Sequence, residues 1–296
     1  MDEQDRLAER FEAHRGRLRA VSYRLLGSPS EAEDAVQEAW LRLSRVDPDS
    51  IGNLAAWLTT VVSRVCLDML RSRTSRREEP AGEHLPDRFA DGDEGGDPEQ
   101  EALLVDSVGR ALLVVLDRLG PAERIAFVLH DTFAVPFDVI APIVERTPVA
   151  TKKLASRARH KVHGTPAVTG AELAAHRDVV DAFLAAARGG DLGALLAVLA
   201  PDVVRRADPA ALPPGAAAVV RGARAVAEET VLLARNSLFA APALVSGAVG
   251  IVVAPRGRLL LALTLTIEDG RIAAYEVIAD PDRLQRLELA VLDARP

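Results

Sequence analysis

Cysteine and lysine are what this chain most conspicuously lacks. Its 296 residues include a single cysteine, Cys66, so an internal disulfide and a thiolate metal cluster are both excluded, as suits a reducing compartment. Set between Val65 and Leu67 on a helical pattern, that thiol reads as an inert core residue. No apolar run approaches the roughly 20 residues a bilayer-spanning helix needs. The opening Met1-Asp2-Glu3-Gln4-Asp5 is acidic and polar, unlike a secretion signal. We therefore expect a cytoplasmic protein with no membrane contact, and no residue set calls for a metal or a cofactor. There is no internal repeat. Hydrophobic content of 49% and charged content of 27% exclude wholesale disorder, and the length allows two or three domains.

The net charge is -7, yet all of the lysines fall in one stretch. From Thr147 to Val162 the chain carries Lys152, Lys153, Lys161, Arg157 and Arg159 and no acid. Leu154, Ala158 and Val162 recur at helical spacing and define an inner face. Val149, Lys153, Ser156 and His160 lie opposite, flanked by Lys152, Arg157 and Arg159. Thr147 reads as the N-cap and Pro148 as the first helical residue. Just upstream, Phe137, Ile140, Ala141 and Val144 make a short apolar face, and Glu145-Arg146 is a tight connection. A basic stretch alone is more often a solvated helix surface. Two short helices with a capped basic second one favour a helix-turn-helix, whose second helix enters a major groove.

Earlier in the chain, Leu7, Phe11, His14, Leu18, Val21 and Leu25 form a seam closed by Gly27. Ser30 with Glu33 then reads as a capping box for a helix burying Ala32, Val36, Ala39, Trp40 and Leu43. Glu31, Asp34, Gln37, Glu38 and Arg42 look outward from it. A polar break at 46–53 precedes a long third helix with Leu54, Trp57, Leu58, Val61, Val62, Val65, Met69 and Leu70. Its end gathers Arg64, Arg71, Arg73, Arg76 and Arg77, more cations than the helix dipole accounts for, which suggests a surface that tracks a nucleic-acid strand. Residues 79–101, rich in Pro, Gly, Asp and Glu, read as a flexible acidic linker.

A third unit starts after Gly164. Helices at 172–188 and from Asp191 precede β signals from Val203 onward, broken by a proline-rich loop and by a helix at about 223–235. Clear strands are expected at 249–254, 259–268 and 272–278, with a hairpin turn at Asp269-Gly270. Residues 238–245 form a weaker candidate that Pro242 restricts to an edge. Helices followed by antiparallel strands describe an α+β unit.

These signatures occur in the order and at the spacing of a known family, and residues 7–162 resemble the sigma factors of the extracytoplasmic-function (ECF) class. Tyr23-Arg24-Leu25-Leu26-Gly27 with Ala32 to Trp40 is similar to the region that grips the clamp of RNA polymerase. Trp57-Leu58 with Asp68-Met69-Leu70-Arg71 is similar to the region that captures the minus-ten element. Pro121, Glu123, Arg124 and Arg157-Ala158-Arg159 are similar to the minus-thirty-five reader. Two positions depart from the pattern: Glu145 stands where many relatives have glycine, and Leu154 where many have arginine. The third unit resembles SnoaL-like domains of the nuclear-transport-factor-2 superfold.

The resemblance implies a multi-domain fold, two all-α sigma domains followed by an α+β cone: 5–78 for core polymerase and the minus-ten element, 102–164 for the minus-thirty-five element, and 171–293 as a regulator. It implies core-polymerase contacts at Asp34, Gln37 and Glu38, and minus-ten contacts at Arg64, Arg71, Arg73 and Arg76. Thr147, Lys152, Lys153, Ser156, Arg157 and His160 would serve the minus-thirty-five element. Leu85, Pro86, Asp208, Asp280, Pro281 and Asp282 would carry interdomain regulation. Partners would be core RNA polymerase, promoter DNA and a small ligand in the cone, with no separate anti-sigma protein. Two other readings stay open. A one-component helix-turn-helix regulator with a small-molecule-binding domain leaves residues 30–77 without a task and predicts specific DNA binding without polymerase. A SnoaL-type isomerase or hydrolase predicts turnover dependent on His176.

Overall fold

The structure, a computed structural model, describes residues 3–47, 50–77, 109–212, 215–233 and 237–292. They form two compact units. One holds the described residues up to Arg77 together with Leu116–His160, and the other holds 109–115 and everything described from Lys161 onward. The fold is multi-domain, helical first and mixed α+β afterwards.

The first unit begins with α1 (Glu3–Leu26), α2 (Pro29–Leu43) and α3 (Leu54–Arg77), which pack pairwise. Leu18, Val21, Leu25, Val36, Leu43, Leu58 and Val62 are buried between them, each side chain contributing about 1.5–3 kcal/mol of transfer free energy. Phe11 meets Trp40 at 5.1 Å, so the predicted α1 seam closes on the apolar side of α2. Gly27 ends α1 with φ 74 and donates its N–H to Tyr23 O at 2.7 Å. The α2 cap lies two residues earlier than the sequence suggested. Ser28 accepts from the N–H of Glu31, with Pro29 at the first position, because proline fixes φ and pre-forms the first turn. Glu33 is thereby freed to pair with Arg15. The Asn53 side chain caps α3 through the N–H of Ala56.

The unit continues through the end of α4 (Arg110–Asp117), then α5 (Pro121–Phe127), a π-helical turn (Val128–Thr132), α6 (Phe137–Ile140) and α7 (Pro148–His163). The π turn had no counterpart in the sequence reading. It stacks His130 flat on Phe137 at 3.9 Å, and the chain leaves it at Ala134 with φ 54. After α6 the chain turns through Glu145, also left-handed at φ 55.

In the second unit, α8 (Gly170–Gly189), α9 (Leu192–Val198) and α10 (Ala223–Leu232) pack on a seven-stranded sheet. Its strands are β1 (Leu199–Ala207), β2 (Val219–Arg221), β3 (Ala240–Val245), β4 (Ala248–Val253), β5 (Leu261–Glu268), β6 (Arg271–Ile278) and β7 (Leu289–Ala290), in the order β2-β1-β6-β5-β4-β3-β7. Asp269 and Gly270 both have positive φ, the two-residue hairpin turn expected between β5 and β6. The antiparallel expectation needs one correction, because β1 runs parallel to β6. The long path from β1 back to β6 is what permits it. Pro242 is also not on an edge strand. Strand β7 covers only Leu244 and Val245 on that side of β3, so the missing N–H of Pro242 faces no strand. Val180, Phe183, Leu195, Val226, Ile251 and Tyr275 belong to the core. Among the described residues, no helix is long and apolar enough to cross a membrane.

Candidate nucleic-acid interface

Helix α7 is held from its inner face. Thr151, Ala155, Ala158 and Val162 are buried there, while Leu154, expected on this face, is only half-buried. The Thr147 hydroxyl accepts the N–H of Ala150 at 3.2 Å, which makes it the cap the sequence predicted. Lys152, Lys153, Ser156, Arg157 and His160 are exposed, as is Val149 at 69%. Arg146, Ala150, Lys153, Leu154, Ser156 and Arg157 line one shallow surface depression. The cations and the apolar tip therefore share a face, the arrangement that phosphate and base-edge contacts need.

Acids from the same unit steady this face. Asp131 accepts two bonds from Arg159, at 2.7 and 3.1 Å, and Glu123 lies 3.7 Å from Arg157. These pairs orient the guanidinium groups and lower the net positive charge of the helix. The sequence reading missed Asp131, because an isolated acid in a turn has no periodic signature.

The arginines at the end of α3 have divergent surroundings. Arg64 is exposed. Arg73 pairs with Glu31 and donates to Leu26 O at 2.9 Å, so it ties α3 to the α1–α2 junction. Arg71 reaches Glu145 at 3.4 Å. The Arg76 side chain lies outside the described residues. On α2, Asp34 and Gln37 are exposed, and Glu38 pairs with Arg42 at 2.9 Å.

Arg124 is the residue that sequence patterning placed least well. It is 3% exposed, its Nη1 lies 3.5 Å from Asp117 Oδ1, and a Cβ added at Gly27 would meet its Nη2 at 3.6 Å. Burial pushes the Cys66 thiol up to about 12, opposed by Ser22 and by the charge of Arg124. A signal did exist. Ile125-Ala126-Phe127-Val128-Leu129 is apolar all round, and a helix of that kind is covered on every side, its neighbouring arginine included.

Of the residues expected to carry interdomain regulation, Asp208 and Asp280 are bonded to each other within the second unit. Asp208 accepts the N–H groups of Ala279 and Asp280 at 3.0 and 3.1 Å and pairs with Arg283. Asp280 caps α11 (Pro281–Arg286) by accepting from Arg283 N, and Arg283 reaches Glu276 at 2.9 Å. Burial raises the Asp208 pKa, but those N–H donors and the guanidinium outweigh it and hold the carboxyl below its usual range. Pro281 and Asp282 are exposed. Leu85, Pro86 and the acidic segment 79–101 lie outside the described residues.

In the interior of that unit Arg205, nearly fully buried, pairs with Glu229 and donates to Ala217 O at 2.9 Å. The Tyr275 hydroxyl lies 3.5 Å from Thr230 Oγ1. His176 is half-buried on α8.

The Sigma-70 region 2 family model matches residues 10–76. The chain is similar along its length to the ECF RNA polymerase sigma factor SigJ of Mycobacterium tuberculosis, 40% identical over 300 residues that cover 97% of this chain and 96% of that protein. It is also similar to a protein of the same organism described as a probable ECF RNA polymerase sigma factor SigI, at 36% identity over 294 residues, 97% of this chain and 98% of the other. A crystal structure of the M. tuberculosis SigJ protein covers 94% of this chain and 98% of its own at 34% identity, with a TM-score of 0.45.

Proposed function

This chain belongs to the ECF RNA polymerase sigma factors, and from that premise we propose that it directs promoter-specific initiation of transcription in the cytoplasm and carries its own regulator. The observation that carries the reading is the exposed cationic face of α7, the only lysine-bearing segment of an acidic chain. Lys152, Lys153 and Arg157 supply counterion-releasing phosphate contacts, and Ser156 and His160 reach base edges in the minus-thirty-five element. Arg64, with Arg71 once its carboxylate partner is displaced, follows the minus-ten strand. Arg73, already committed to Leu26 O and Glu31, serves mainly to hold the end of α3 in place. Asp34 and Gln37 offer acceptors to the polymerase clamp.

Residues 171–293 are read as a SnoaL-like domain that modulates activity without chemical turnover, so that no separate anti-sigma protein is required. Run-off transcription with core polymerase tests the whole reading. A defined start site is expected, lost in the K152A/R157A double variant. Undirected initiation by a folded, core-bound factor would overturn it.

A further inference from the structure

The first turn of α7 carries an apolar group where phosphate binding has no use for one. Val149 is 69% exposed, against 47% for Leu41 and 36% for Val46, the other exposed large apolar residues described in the first unit. Val149, Lys153, Ser156 and His160 follow one another at steps of four, three and four residues, and all are exposed. The valine therefore stands on the same outward line as a cation and two hydrogen-bonding side chains. Beside it, Ala150 and Leu154 lie one turn apart and half-buried, the apolar part of the depression that Arg146, Lys153 and Arg157 border. An apolar strip thus runs along the first two turns of the helix, edged by positive charge.

The same helix end is poor in what an anion seeks. Free N–H groups of a first turn commonly hold phosphates. Here Pro148 has none, and that of Ala150 is bonded to the Thr147 hydroxyl at 3.2 Å. Phosphate contact falls to Lys152, Lys153 and Arg157, whose charges draw the helix onto the duplex. In a major groove, donors and acceptors line the base edges, and the C5-methyl group of thymine is the one apolar substituent among them. A single exposed valine is ordinary on a protein surface. This one is carried against base edges when the helix docks, so it favours the base pair that offers it an apolar partner. From this arrangement we infer that Val149, backed by Ala150 and Leu154, reads a thymine methyl group in the minus-thirty-five element and is a specificity-determining residue of the factor. The inference rests on the sigma reading above and adds to it the chemical group that is recognised.

Deoxyuridine in place of thymidine removes that methyl group and leaves base pairing and every hydrogen-bonding group intact. Holoenzyme made from the full chain and core polymerase first selects its promoter from a random duplex pool. Each thymine of the upstream element, on either strand, is then replaced singly by uracil. At one position the wild type is expected to bind the uracil duplex about fourfold more weakly. Val149→Ala, an exposed change to a better helix former, is expected to bind the thymine duplex about fourfold more weakly and to stop distinguishing the two. Lys153→Ala is expected to weaken both and keep their ratio. The inference is overturned if no single replacement shifts wild-type affinity, or if Val149→Ala retains the thymine preference. A loss in Val149→Ala that is equal on thymine and uracil duplexes, with the preference intact, places the valine on sugar or polymerase instead. If the holoenzyme selects no element and initiates at random, the sigma reading fails. Selection by the full chain alone, scanned in the same way, then still decides whether Val149 reads a methyl group, and a chain that selects no sequence overturns both.

Discussion

Glu145 shows at one residue how function is written against local preference. Its φ of 55 is a conformation that costs a non-glycine residue on the order of 1–2 kcal/mol, and relatives are expected to place glycine there. What glutamate gains is Arg71, at the end of α3, 3.4 Å away. Two substitutions separate the terms. Glu145→Ala keeps the strain and loses the pair, so it is expected to lower stability by up to about 1 kcal/mol. Glu145→Gly relieves the strain and is expected to leave the fold about 1 kcal/mol more stable than the alanine variant, although both lose the pair with Arg71. Urea unfolding of the two variants side by side checks this; equal midpoints would remove strain from the account. Asp208 makes a second residue-scale case. Its carboxyl is held below the usual range in the fold, so the stability it supplies is present above the unfolded value of about 3.9 and is lost as pH falls through the lower folded value. Asp208→Asn is expected to cost about 1–3 kcal/mol at neutral pH and to flatten the acid limb below about pH 4. Hydrogen exchange at the amides of Ala279 and Asp280, its two N–H donors, is the measurement. An unchanged acid limb would mean that Arg283 does not need the carboxylate.

At the scale of elements, helix α7 was nearly complete in the sequence: cap, proline and cationic face follow from composition and period, and of the expected inner residues Ala158 and Val162 are buried while Leu154 is half-buried. The same holds for α1 with Gly27 and for the Asp269-Gly270 hairpin, because glycine and turn residues impose backbone geometry locally. What escaped was set by neighbours. The π turn at Val128–Thr132 starts where the buried apolar run ends and leads out to the exposed Asp131 and Thr132, and β1 joins β6 in parallel through partners 70 or more positions away. Charge patterning alone did not reveal that Arg73 pairs with Glu31. The legible part of α7 makes its own prediction. Each of Lys152→Ala and Lys153→Ala is expected to reduce the slope of log affinity against log salt by about 1, uniformly across promoter sequences. Loss of preference at one base position instead would mark that lysine as a base reader. Thr147→Ala is expected to cost about 1 kcal/mol through the helix terminus, with the salt slope unchanged.

For the molecule as a whole, the second unit resumes inside α7, at Lys161, and not at the loop after Gly164 where the sequence changes character. Val162 O accepts the N–H of Val291 at 2.7 Å, and a Cβ on Gly164 would come within 2.6 Å of Ala290. The last turn of α7 is thus packed with the second unit. At the other end, Arg110 donates to Ala254 O at 3.2 Å and lies over Phe239 at 5.6 Å. A factor cut after Gly164 loses the partners of Val162 and Arg110 at once, so the two ends of the helix-turn-helix segment lose their anchors while the recognition face stays intact. The expected outcome is a shortened factor that starts RNA at the same nucleotide as the full chain but at a level changed several-fold, with a lower midpoint of thermal unfolding. Arg110→Ala in the full chain, which removes one anchor and nothing from the DNA face, is expected to move the level in the same direction by less. Run-off transcription of the three proteins on one promoter decides it. An identical level in all three would leave the second unit no part in regulation, and a changed start site would mean that it helps to choose the promoter rather than to tune its use.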